Sequence, residues 1–133
     1  MNDMSRPTEA ELEILAVLWR SGPATVRKVH ECLAAERGTG YTTTLKLMQI
    51  MVTKGLLLRD ESERSHVYRA AQPAAAAQRQ IIGRLIDRVF AGSASALVQQ
   101  ALDADTVDVA ELREIRRLLD EHTTRIRAGR RQP

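Results

Sequence analysis

The sequence predicts a mainly α-helical chain with one small β-hairpin, divided into a winged helix-turn-helix head and an all-helical arm. Three observations carry this. Apolar residues recur at helical spacing in three successive segments before residue 55. Two short apolar runs, 56–59 and 66–69, flank a charged tip. After Gln72-Pro73 only helical periodicity remains.

The first helix is read over Glu9 to Arg20. Thr8-Glu9-Ala10-Glu11 is a capping box, in which Thr8 accepts the Glu11 amide and Glu11 reaches back to the Thr8 amide. Leu12, Leu15, Leu18 and Trp19 form its apolar stripe, and Ser21-Gly22-Pro23 stops it. Glu9, Glu11 and Glu13 make its start acidic, a poor surface for DNA. Ala24-Thr25 is an extended link with Thr25 as N-cap. The second helix carries Val26, Val29 and Leu33 on one face and ends at Gly38, in the tight turn Gly38-Thr39-Gly40. The third spans about Thr42 to Lys54, with Gly55 as its C-terminal stop. At about 100° per residue, Thr44, Met48, Met51 and Gly55 share one face. The opposite face holds Thr42, Thr43, Lys46, Gln49, Ile50 and Thr53.

Leu56-Leu57-Leu58-Arg59 and His66-Val67-Tyr68-Arg69 read as strands around the tip Asp60–Ser65. Three helices followed by a hairpin, with a short glycine turn between helices two and three, is the order of a winged helix-turn-helix. The domain boundary is placed at 72/73, giving a reader over 1–72 and an arm over 73–133. In the arm, Ile81, Ile82, Leu85, Ile86, Val89 and Phe90 make one apolar face, broken at Gly92-Ser93. Ser93 caps a helix with Leu97, Val98, Ala101 and Leu102. Asp108-Val109-Ala110-Glu111 opens a last helix striped by Leu112, Ile115, Leu119 and Ile126. The tail with Arg125, Arg127, Arg130 and Arg131 is expected to fray. An arm of this size has too few residues for a well-buried core, so its stripes need a partner, and a second copy is the simplest one. The expected dimer residues are Ile82, Leu85, Ile86, Val89, Leu97, Leu112, Ile115 and Leu119.

Composition narrows the function. The 133 residues carry 20 Lys+Arg and 17 Asp+Glu, a net +3, which allows nucleic acid without demanding it. Aromatics are 3%, too few for a single-strand stacking platform. Cys32 is alone, which excludes an intramolecular disulfide, a CxxC pair and a zinc site built on several cysteines of one chain. His30, His66 and His122 are far apart, and His30 and Cys32 point in different directions on a helix, so no metal or cofactor is expected. No apolar run is long enough to span a membrane, and Met-Asn-Asp-Met-Ser-Arg does not start a signal peptide; a reducing, cytoplasmic setting is expected. GxSxG, HExxH, GxxxxGK[ST] and GxGxxG are absent, and the chain is read as a non-enzyme.

The outer face of the third helix is the main candidate site. Base edges are read by side chains that donate and accept, flanked by phosphate anchors, and Thr42, Thr43, Lys46 and Gln49 supply such groups. A plain solvated helix face has the same composition. The hairpin tip is the second candidate, through Arg64 and His66, with Asp60, Glu61 and Glu63 opposing phosphate; a charged, solvated loop is the alternative. Residues 23–69 count eight cations and five acids, against two arginines and four acids in residues 1–20.

These residues, taken in series, resemble the BlaI/MecI penicillinase-repressor family. Thr8-Glu9-Ala10-Glu11-Leu12-Glu13-Ile14-Leu15 through Leu18-Trp19, with Gly22-Pro23-Ala24-Thr25-Val26-Arg27, is similar to the first half of its reader. Tyr41-Thr42-Thr43-Thr44-Leu45-Lys46 with Lys54-Gly55-Leu56 resembles its recognition helix, and His66-Val67-Tyr68 its second wing strand. Phe90-Ala91-Gly92-Ser93, Ala96-Leu97-Val98, Glu111-Leu112 and Ile115 resemble its dimerisation arm, so the likeness covers about residues 7 to 121. The resemblance implies a homodimeric repressor on a dyad operator, its two recognition helices roughly 34 Å apart in successive major grooves. It implies DNA contacts at Thr42, Thr43 and Lys46, and a backbone phosphate near Thr25 at a helix N-terminus. It further implies release when a membrane sensor protease cuts the arm. By position that cut falls at Gln100-Ala101, where members often have Asn followed by a bulky apolar residue. Ile50 stands where many members carry a basic residue, and the C-terminal cysteine cluster of copper-sensing relatives is missing. A winged-helix protein-interaction module and a small-molecule-gated regulator are the alternatives.

Overall fold

The computed structural model describes residues 6–38 and 40–131, the side chains of 34–37 and 131 excepted. Thr39 of the glycine turn and the first five residues, with the targeting reading made on them, lie outside these. The order is α1 (Glu9–Ser21), α2 (Val26–Arg37), α3 (Tyr41–Thr53), β1 (Leu57–Asp60), β2 (Val67–Ala70), α4 (Ala74–Val89), α5 (Ala94–Leu102) and α6 (Val109–Arg131). The fold is therefore mainly α with one hairpin, a winged helix-turn-helix followed by a helical arm.

Local chemistry sets the helix ends. The capping box at α1 is complete: the Glu11 amide donates to Thr8 Oγ1 at 3.2 Å and the Thr8 amide to Glu11 Oε1 at 2.8 Å. Thr25 caps α2 by accepting the Lys28 amide at 3.2 Å. At the end of α3, Gly55 turns into the left-handed region at φ +81°. Its amide reaches Val52 O at 3.0 Å, and the Leu56 amide reaches Met51 O at 2.9 Å. This paired closure satisfies two otherwise orphaned carbonyls and needs a residue without Cβ strain.

β1 and β2 pair antiparallel with Arg59 opposite Tyr68 and Asp60 opposite Val67. β2 also exchanges both backbone hydrogen bonds with Ala24 on its other edge, at 2.9 and 2.8 Å. The link read as simply extended is thus a third, single-residue rung of the sheet. Each strand starts one residue later than the apolar runs suggest; in β1 this is because Leu56 is spent on the helix closure.

The core lies among α1–α3 and the hairpin. Ile14, Val29, Met48 and Met51 are fully buried, with Leu15, Leu18, Leu33, Leu57 and Tyr68 packed around them. Thr44 is buried on the inner face of α3, and its hydroxyl donates to Gly40 O at 3.4 Å. Glu11 is buried as well. Its carboxylate takes the Lys54 ammonium at 2.6 Å, and the same ammonium donates to Arg6 O at 2.9 Å. The pair ties the start of α1 to the end of α3.

By compactness the chain divides into residues 1–81 and 82–133. The division falls within the range of α4. The arm is helical, and Ser93 and Asp108 cap its last two helices as read, accepting the Ala96 and Glu111 amides. The C-terminal arginines do not fray: α6 is helical through Arg131. No proline interrupts before residue 133, and the Thr123 and Thr124 hydroxyls bond back to Leu119 and Asp120 carbonyls. Among the described residues of this unit none is buried.

Candidate nucleic-acid interface

α3 has two faces because its sequence has two. Thr44, Met48 and Met51 enter the core, and Thr42, Thr43, Lys46, Gln49, Ile50 and Thr53 are all exposed. The side chains of Thr42, Thr43, Lys46 and Gln49 thus lie together on one solvent-facing surface. Lys46 has no ion pair among the described residues, so its ammonium is available to an external anion. Gln49, Ile50 and Thr53 line a shallow, largely apolar depression with the stems of Lys46 and Lys54. Gly55, expected on the buried face, is exposed, since it has already left the helix.

A second concavity opens between the start of α2, the start of α3 and the wing. Thr25, Arg27, Tyr41, Arg64, Ser65 and His66 line it. Thr25, Arg64 and His66, far apart in sequence, are brought to one groove. Arg64 is exposed and has no ion pair among the described residues. His66 Nε2 lies 3.8 Å from Glu61 Oε1, and Arg59 lies 3.6 Å from the same carboxylate. Asp60 accepts the Ser62 amide at 2.9 Å, and the Ser62 amide and hydroxyl hold its carboxyl below the ordinary aspartate value. Two of the three tip acids are therefore occupied within the wing itself, and their opposition to phosphate is partly offset.

Sequence reading missed Arg27 and Tyr41. The Arg27 guanidinium carbon sits 5.7 Å from the Tyr41 ring centroid, within cation–π range. His30 meets the same ring edge-on at 5.7 Å, and its Nδ1 is buried without a hydrogen-bond partner among the described residues. The ring thus orients a cation at the groove's rim. Arg27 and Tyr41 are fourteen positions apart on different helices, so no periodicity links them; the only signal was that both border the residues chosen.

In the arm, Ile82, Leu85, Val89, Leu112 and Leu119 are exposed, between 39% and 65%, and Ile86, Leu97 and Ile115 are half-buried. Val98, Leu102, Val109, Leu118 and Ile126 add further exposed apolar surface. Gln100 and Ala101 are exposed and lie in the last turn of α5. Among the described residues no cluster of three or more His, Cys, Asp or Glu is placed to hold a metal ion, and no helix is long and apolar enough to cross a membrane.

Three helices, a polar outer face on the third and a two-stranded wing define a winged helix-turn-helix protein of the kind that regulates transcription. The family model described as "Penicillinase repressor" matches residues 7–121, and the chain belongs to that family. It is 32% identical over 124 residues to the transcriptional regulator BlaI of Mycobacterium tuberculosis, in strains CDC 1551 / Oshkosh and ATCC 25618 / H37Rv. The alignment covers 91% of this chain and 88% of the relative. A solution structure of the DNA binding domain of the repressor BlaI is similar over 56% of this chain and 92% of its own, at 21% identity and a TM-score of 0.49.

Proposed function

We propose that the protein is a homodimeric transcriptional repressor that binds a dyad operator in double-stranded DNA. The observation that carries this reading is the two-sidedness of α3: one face is core, and the other presents hydroxyl, amide and ammonium groups with no competing acid on it. Thr42, Thr43, Lys46 and Gln49 read base edges in the major groove. Thr25 at the α2 N-terminus, Arg27, Arg64 and His66 hold the flanking phosphates around the groove described above.

The reader is 1–72, and 73–133 joins two copies. The exposed Ile82, Leu85, Val89, Leu112 and Leu119 support this, since a patch of this extent on a small unit is covered in a working assembly. Linking two heads raises the effective concentration of the second, so one head alone binds far more weakly. An inducing signal then acts by breaking the dimer. A membrane sensor protease cutting at Gln100-Ala101 would do so from the end of a nine-residue helix, short enough to open locally. The setting is the cytoplasm.

The test is binding of the purified chain to duplex DNA from upstream of its own gene, at two salt concentrations, against excess random duplex. The expected result is specific, salt-sensitive binding at two chains per site. Equal affinity for both duplexes, or a flat salt response, overturns it and favours the protein-interaction alternative, for which the exposed Ile50 is the nearest anchor.

A further inference from the structure

The charge of this chain is unevenly placed. Residues 1–121 carry sixteen cations and seventeen acids, a net −1, and residues 122–133 carry four arginines and no acid. The net +3 of the whole chain therefore resides beyond Glu121. Between the reader segment 23–69, net +3, and this segment lies 70–121, with six arginines and eight acids. Two basic segments are separated by an acidic one.

In the fold, the second basic segment is the last part of α6, helical to Arg131. Arg125, Arg127 and Arg130 are exposed and have no ion pair among the described residues. Earlier on the same helix, Arg117 is paired with both Glu114 and Glu121. Attraction to the helix dipole accounts for a cation in the final turn. It does not reach back to Arg125 and Arg127. Arg127 and Arg130 project about 60° apart on the helix, and Arg125 projects about 160° from Arg127. Two guanidinium groups therefore face one side.

We infer that this end of α6 is a second, sequence-independent contact to the backbone phosphates of duplex DNA flanking the operator. The inference rests on the DNA-binding reading above. The chemistry favours a polyphosphate over a membrane, because residues 122–131 contain no aromatic residue and only Ile126 as a large apolar one, too little to seat a helix in a lipid interface. Of the eight acids in 70–121, Glu114 and Glu121 already hold Arg117 and Asp108 is engaged as the α6 cap; pairing of the arginines with the other five in a second copy is the competing outcome that sedimentation reads below.

The test is the full chain carrying Arg125→Gln, Arg127→Gln and Arg130→Gln, beside wild type. Gln keeps the helix propensity and removes the charge. Binding is measured on the upstream duplex and on random duplex across a salt series, with sedimentation to fix the number of chains. Two phosphates per chain and two chains per site predict a fall of three to four in the log–log salt slope, at about 0.9 per phosphate. Affinity for both duplexes should fall together, by about tenfold or more at low salt, with their ratio unchanged. An unchanged slope in a variant that still binds overturns this inference alone. Loss of the dimer in sedimentation overturns it too, by assigning the arginines to the partner copy. Wild-type binding to vesicles containing anionic phospholipid that survives competition by duplex DNA overturns it in favour of a membrane. A wild-type chain that binds no duplex overturns both this and the reading beneath it.

Discussion

Replacing Lys54 by Met isolates what the buried Glu11–Lys54 pair does. The Glu11 side chain is 3% exposed and the Lys54 side chain 11%. With Lys54→Met the Glu11 carboxylate keeps only the Thr8 amide among the contacts described. Removing one partner of a buried pair costs about 3–5 kcal/mol, and the remaining capping bond places this case near the lower end, about 3 kcal/mol. The reverse change is milder. With Glu11→Gln the amide oxygen still accepts from Thr8 and from Lys54, and the ammonium keeps the Arg6 carbonyl and its partial exposure. About 1–2 kcal/mol is expected there. The double variant removes both charges and should recover part of the loss, because no charge stays buried, while the new amide nitrogen facing the methionine still lacks an acceptor. The assay is urea unfolding followed by circular dichroism, at one protomer concentration, since the dimerisation proposed above would make stability concentration-dependent. The reasoning fails if Lys54→Met lies within about 0.5 kcal/mol of wild type, the usual span of an unimportant surface change. It fails equally if Glu11→Gln costs more than Lys54→Met.

Lys46→Ala should weaken binding to the upstream duplex by about 1–3 kcal/mol with random-duplex binding little changed, measured by fluorescence anisotropy; a parallel loss on both would move Lys46 from base edge to phosphate. Leu119→Arg should shift the chain to monomer in sedimentation and lower DNA affinity without altering the reader's helical signal; a dimer of wild-type strength would remove α6 from the interface. Asp60 should titrate below the ordinary aspartate value of 3.8 by NMR, and Ser62→Ala should raise its midpoint by removing the hydroxyl. A carboxyl with a lowered folded pKa stabilises the fold above its unfolded pKa and loses that contribution as pH falls through the folded one, so the Asx turn should loosen only at strongly acidic pH.

Much of the head was legible because each of its elements is specified locally. The capping box, the Gly55 stop and the 3.6-residue stripe of Thr44, Met48 and Met51 are all read within a few positions of one another. Ile14 and Val17 were missed in α1, although both are buried, because the stripe chosen there was too narrow for a helix packed on two sides. The Glu11–Lys54 pair, the Arg27–Tyr41 contact and the Ala24 rung join residues fourteen to forty-four positions apart, and no local pattern encodes such meetings. The expected fraying at the C-terminus failed for a different reason: arginine is a good helix former, and its charge alone does not end a helix.

The two hydrogen bonds between Ala24 and Tyr68 have a mechanical consequence. Thr25, the cap of α2, is the next residue along the chain, and Tyr68 lies two residues beyond His66. The two jaws of the groove are thus bolted together at the backbone, and its gape is fixed before any ligand arrives. On the reading proposed above, a phosphate entering it would meet a finished clamp and forfeit little entropy in closing one. Ala24→Pro deletes the donor of one of these two bonds and should loosen the groove while leaving the side chains that line it intact.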